Sequence, residues 1–174
     1  MSVIYAVLST FSIGLSDFFA SAVTKRARAN EVTSTVLLAG VVVMAVAAVF
    51  WSGNPTTSDL VHGALAGVAN GVGILLLFVA YSRGSLRSAA PAAAVVMSGV
   101  PVLWDILVSR ASPSTVTSIG LTLGVIAIAL SSYERGDPAD GSSGLFIAGL
   151  AGIVLGILLI LLSYIGDDAG GSPL

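Results

Sequence analysis

The charged residues of this chain sit in short stretches between long apolar runs, a spacing that makes a lipid bilayer the solvent it is built for. A helix needs about 20 apolar residues to cross the hydrocarbon core. Runs at 3–23, 32–51, 61–82, 89–109, 115–133 and 144–165 meet that length. The stretches between them read KRARAN, SGNPTTSD, SRGSLRS, SRASPS and ERGDPADGSS. Only 9% of the 174 residues are charged, against about 25% in a soluble domain. Mean hydropathy is +1.02. The expectation is an all-α membrane protein of about six transmembrane helices. Their short connections run consecutive helices antiparallel.

Composition also excludes chemistry. The chain has no cysteine, so disulfides, thiolate catalysis and cysteine–zinc sites are ruled out. The single histidine, His62, cannot build a multi-histidine metal site. No basic tract points to nucleic acid, and no cofactor is implied. No nucleophile is paired with a base and no loop is built to cradle phosphate, so an enzyme is not expected. The N-terminal MSVIYAV lacks the positive region of a secretory signal, and its apolar run ends in Thr24-Lys25-Arg26, so it reads as a retained helix.

Lys and Arg set the expected orientation. Lys25, Arg26, Arg28, Arg83, Arg87 and Arg135 lie in the first, third and fifth connections, and only Arg110 lies on the other side. That asymmetry places the odd connections in the cytoplasm of a plasma-membrane protein and both termini outside. Trp51, Tyr81, Tyr133 and Tyr164 fall at span ends, where amphipathic rings prefer to sit. The most polar stretch, 134–143, reads as a linker, and 166–174 as a polar tail.

Glycines recur at helix-packing spacing: Gly63, Gly67 and Gly71, then Gly120 and Gly124, then Gly152 and Gly156. Such ladders let helix backbones approach closely in lipid. The sixth run also resembles the first. At an offset of 142, Ala6, Leu8, Gly14 and Ser21 align with Ala148, Leu150, Gly156 and Ser163, as an internal repeat would leave them.

Polar residues inside the apolar runs are the candidate functional groups. Asp17 lies well within the first run, where a charge is costly and marks a functional site by default. Thr10, Gly14, Asp17, Ser21 and Thr24 share one helix face, flanked by Ser9, Ser12 and Ser16. That stripe should line a cavity or a helix contact. Asp17 is then a substrate- or proton-binding carboxylate, a structural one bonded to Ser and Thr across helices, or one near enough to the cytoplasmic interface to be hydrated. On the fourth run Pro91, Ala94, Ser98, Pro101 and Asp105 share a face. Pro101 deprives the Met97 carbonyl of its helical donor. Asp105 stands one turn from Arg110, and an end-of-helix ion pair is the expected arrangement. Asp17 and Asp105 should lie toward opposite membrane faces. Asn70, mid-run on the third helix near the face of Gly73, Leu77 and Tyr81, bridges helices or contacts substrate. His62, beside Asp59 at a span start, reads as an interfacial group.

Three stretches carry a family resemblance: YAVLSTFSIGLSDFFASAVTKR, GALAGVANGVGILLLFVAYSRGSLRSAAPAAAVVMSGVPVLWDILVSR and STVTSIGLTLGVIAIALSS. Residues 1–133 resemble the N-terminal half of EamA-type permeases of the drug/metabolite transporter superfamily. The resemblance implies ten helices in two five-helix repeats, of which this chain has one repeat plus the first helix of a second. It implies secondary transport of a small metabolite or drug by alternating access. It places Asp17 in an SDF segment and Pro91 and Pro101 in a proline-bearing fourth helix. Where such proteins usually carry a glutamate before the fifth helix, this chain has Ser109-Arg110-Ala111-Ser112-Pro113. The expected partners are an unnamed small-molecule substrate, membrane lipid, and either a second copy or a separately made second half. The rival readings are a non-transporting membrane fragment or interaction subunit, and a lipid-carrier flippase. The candidate substrate- or proton-binding residues are Asp17, Thr10, Ser21, Asn70, Ser98, Pro101 and Asp105.

Overall fold

The structure is a computed structural model that describes residues 2–50, 53–83, 86–110, 114–132, 138–166 and 169. It is all-helical, with no strand among the described residues. The elements are α1 (Ser2–Thr24), α2 (Ala29–Phe50), α3 (Thr57–Arg83), α4 (Leu86–Trp104), α5 (Thr115–Ser132) and α6 (Pro138–Ser163). A π-helical turn, Asp105–Ser109, continues α4. Five segments are long and apolar enough to cross a membrane: Val7–Thr24, Ala29–Phe50, Thr57–Arg83, Ser88–Val108 and Ser143–Ser163. On α5 the apolar segment Thr115–Ile126 is shorter. The outward faces are themselves apolar, as Phe11, Leu38, Phe50, Leu107 and Val116 show. That is the inverse of a soluble bundle.

The polar stretch 134–143 is helical over its second half. α6 begins at Pro138, whose missing N–H costs nothing in the first turn and whose ring presets a helical φ. Residues 133–137 lie outside the described residues. The tail begins anchored, because the Gly166 N–H donates to Asp59 (3.0 Å).

α6 packs most extensively, against both α3 and α4. Small residues make this possible. A Cβ on Gly73 would come within 2.6 Å of the Leu155 side chain. One on Gly152 would meet the Ala93 carbonyl at 2.6 Å, and one on Gly156 would meet Val100 at 2.5 Å and the Met97 carbonyl at 3.0 Å. Ala148 and Ala151 are fully buried in the same seam. On α5, Gly124 lies against Val95 of α4. The other ladders are only partly used. Gly63 is buried and a Cβ on Gly71 would make ordinary contact with Leu37, but one on Gly67 or Gly120 would meet nothing within 4 Å among the described residues.

One end of the bundle gathers Ala20 of α1, Val32 of α2, Phe78, Ala80 and Tyr81 of α3, Ala89 and Ala93 of α4 and Ala148 of α6 into a single apolar cluster. There α1 is held through Ala20, Ser21 and Thr24. Before that point a Cβ on Gly14 would meet nothing within 4 Å among the described residues, and Val7, Leu8 and Phe11 are exposed.

The helix is not broken at Pro101. α4 runs through it to Trp104, and the irregularity comes one turn later as the π turn. That turn ends at Arg110, which is left-handed (φ 51°, ψ 26°) and donates its backbone N–H to the Asp105 carbonyl.

Candidate functional site

The inward face of α1 repeats at three and four residues through Asp17, Ser21 and Thr24, with Ala20 beside them. Ser21 and Thr24 are buried, and the Thr24 hydroxyl donates to the Ala20 carbonyl at 2.9 Å. Asp17 is half-buried. It sits where α1 changes from packed to open.

Across from it, Tyr81 of α3 is fully buried, its ring 6.2 Å from that of Phe78. Asp17 is the acidic group that acts on the Tyr81 hydroxyl, and its carboxylate comes within reach of a side-chain hydrogen bond. The bond is not well formed. By strict geometry the Tyr81 hydroxyl has no partner among the described residues, and neither does the buried Thr33 hydroxyl on α2. Leaving such a group unpaired costs about 1–3 kcal/mol. A carboxylate facing a phenol offers an acceptor and a donor that can pair with each other or with one small polar group.

The other candidate residues are dispersed. The Thr10 side chain lies outside the described residues. On the flank Ser9, Ser12 and Ser16 are exposed; of the stripe's described members Gly14 is exposed, Asp17 half-buried, and Ser21 and Thr24 buried. Asn70 is half-buried at mid-α3, with no side-chain hydrogen bond among the described residues. Ser98 donates to the Ala94 carbonyl at 2.7 Å. With Val95, Val102, Thr117 and Gly120 it lines a half-open cavity of about 250 Å³ between α4 and α5. Pro101 is half-buried beside it, and Asp105 is exposed in the π turn. The expected Asp105–Arg110 ion pair does not form among the described residues. The π turn and the left-handed Arg110 join the two through the backbone instead. At 1.5 Å per residue, Asp105 is roughly 28 Å along the helix from the start of α4, at the opposite end of the bundle from Asp17 and Tyr81. Asp17, Ser21 and Tyr81 therefore form one locus, and Ser98, Pro101 and Asp105 belong to another region. No group of His, Asp and Glu among the described residues could hold a metal.

At the other end of α3, Asp59 is covered by its neighbours, at the rim of the bundle rather than deep within it. It accepts from the Thr56 N–H (2.8 Å), the Thr56 hydroxyl (2.7 Å) and the Gly166 N–H (3.0 Å). Next to it the His62 ring stacks on Tyr164, centroids 5.4 Å apart, and its Nδ1 pairs with the Ser58 carbonyl at 2.8 Å. Asp59 thus caps α3 and ties it to the end of α6.

Sequence reasoning missed two of these residues. Tyr81 was expected as an interfacial aromatic, yet it lies near the face that carries Asn70 and Leu77, which is the signal for burial. For Asp59 the signal is Thr56 three residues earlier, the local spacing of a helix cap. No family model, curated protein or solved structure matches the chain.

Proposed function

We propose that the chain is a membrane transporter or half-transporter of the EamA-type drug/metabolite class. It moves a small polar metabolite or drug across the plasma membrane by alternating access. In this reading six helices span the bilayer, as one five-helix repeat plus the first helix of a second. Asp17 and Tyr81 bind the moving species, with Ser21 beside them. The observation that carries the reading is the half-buried Asp17 carboxylate set against the buried, unsatisfied Tyr81 hydroxyl. A bundle built only for packing gains nothing from a carboxylate at this depth.

Flux of labelled amino acids, amines and small drugs through proteoliposomes tests it, with Asp17→Asn and Tyr81→Phe beside the parent chain. Asp17→Asn should abolish coupled flux, and Tyr81→Phe should reduce it about tenfold or more. Unchanged flux and pH dependence in Asp17→Asn would end the assignment.

The open surface at Gly14 favours a partner. No described residue packs against it, and a second copy or a separately made second half would supply the opposing wall. The cavity beside Ser98 is smaller than the usual 300–1,000 Å³ of a ligand pocket, and an extended apolar groove open to lipid would favour the rival reading of a flippase.

A further inference from the structure

The cluster that joins the ends of α1, α2, α3 and α4 also gathers their charges. Ala27 and Ala29 of the α1–α2 connection pack against the cluster that holds Ala80 and Tyr81. Lys25, Arg26 and Arg28 are thereby brought to the same end of the bundle as Arg83. All four are exposed, and their side chains form no ion pair or hydrogen bond among the described residues. Glu31 is the one acidic side chain described at this end.

The surface beneath them is apolar. Phe19, Val23 and Arg26 follow one another at four and three residues, as do Phe18, Ala22 and Lys25. The helical turn continues past Thr24, since the N–H groups of Arg26 and Ala27 both donate to the Val23 carbonyl at 2.9 Å. Two columns of α1 therefore run from exposed apolar residues directly to a free cation. Phe18 and Phe19 are 59% and 57% exposed, with rings packed edge to face at 5.8 Å.

We propose that this end of the bundle binds an anionic phospholipid. Its phosphate sits among Lys25, Arg26, Arg28 and Arg83, and an acyl chain lies along Phe18, Phe19 and Val23. Charge complementarity selects the headgroup, because a zwitterionic lipid brings its own cation to the same place. The apolar columns select a lipid over a free anion. Each cation near a membrane surface contributes about fivefold to such binding.

Native mass spectrometry of the full chain, released from micelles holding equal phosphatidylglycerol and phosphatidylcholine, tests this alongside thermal unfolding with each lipid. Phosphatidylglycerol should be retained at least tenfold in preference and should raise the melting temperature, more so at low salt. Arg26→Gln with Arg28→Gln should weaken retention by about fivefold per cation while leaving Lys25, Arg83 and Arg87 to hold the topology. Glu31→Gln, which removes only the acid, should strengthen it. Equal retention of the two lipids overturns the proposal. So does a Glu31→Gln chain that retains no more lipid than the parent, even if the double variant does not fold. Inorganic phosphate that stabilises as well as phosphatidylglycerol would show a small-anion site and overturn the lipid assignment.

Discussion

Where α4 crosses α6, Gly156 faces the Met97 carbonyl, the group that Pro101 deprives of its helical donor. The fit leaves no room for a side chain. Gly152→Val and Gly156→Val should each destabilise by about 1–3 kcal/mol, the usual range for overpacking. Gly67→Ala, in open space, should be neutral or stabilise by up to about 1 kcal/mol. Unfolding in mixed micelles separates the two outcomes. Asp59→Ala removes the acceptor for Thr56 and Gly166 and should lower the melting temperature, because it loosens α3 from α6. A different logic applies to Tyr81. Its hydroxyl is buried with no well-formed bond to lose, so Tyr81→Phe should leave stability unchanged or raise it by up to about 1–3 kcal/mol while flux falls. A large loss of stability would mean that the hydroxyl is structural. The carboxylate at position 17 was legible because an acid inside an apolar run is rare. Its partner was not, because tyrosine is as common at membrane interfaces as in cores.

Helix length was legible almost throughout, since the bilayer sets it: the described helices begin and end within a few residues of the apolar runs, except at the start of α6. Facing was not. In lipid both sides of a helix are apolar, so periodicity that would separate core from solvent is nearly absent. Glycine spacing marked the α6 seam correctly and misled at Gly67 and Gly120, because the same spacing serves faces that meet no neighbour. The π turn left no mark beyond Pro101, which sits a turn before it. Orientation remains readable only from charge. The chain has no native cysteine, so single cysteines at positions 57 and 87 report it directly. Impermeant reagent should label Thr57→Cys from outside and leave Arg87→Cys protected. The reverse pattern would invert the topology.

At the scale of the molecule, α1 and α6 behave differently despite their likeness. Gly156 of α6 is buried against α4, whereas a Cβ on Gly14, its counterpart in the alignment, would meet nothing within 4 Å among the described residues. Under the repeat reading, α1 is waiting for the surface that α6 has already found. Gly14→Cys should therefore crosslink between copies, or to a second-half protein, in native membranes. Sustained flux from vesicles shown to hold only single copies would refute the need for a partner. The Asp59–Gly166 bond, which spans 107 residues of chain, carries a consequence in time. As the ribosome delivers helices in order, α3 and α4 reach the membrane with their glycine and alanine seams bare. They stay so until α6 follows. Asp59 also lacks its donor until Gly166 emerges, so the bond that fastens α3 to the end of α6 forms only after all of α6 has been made.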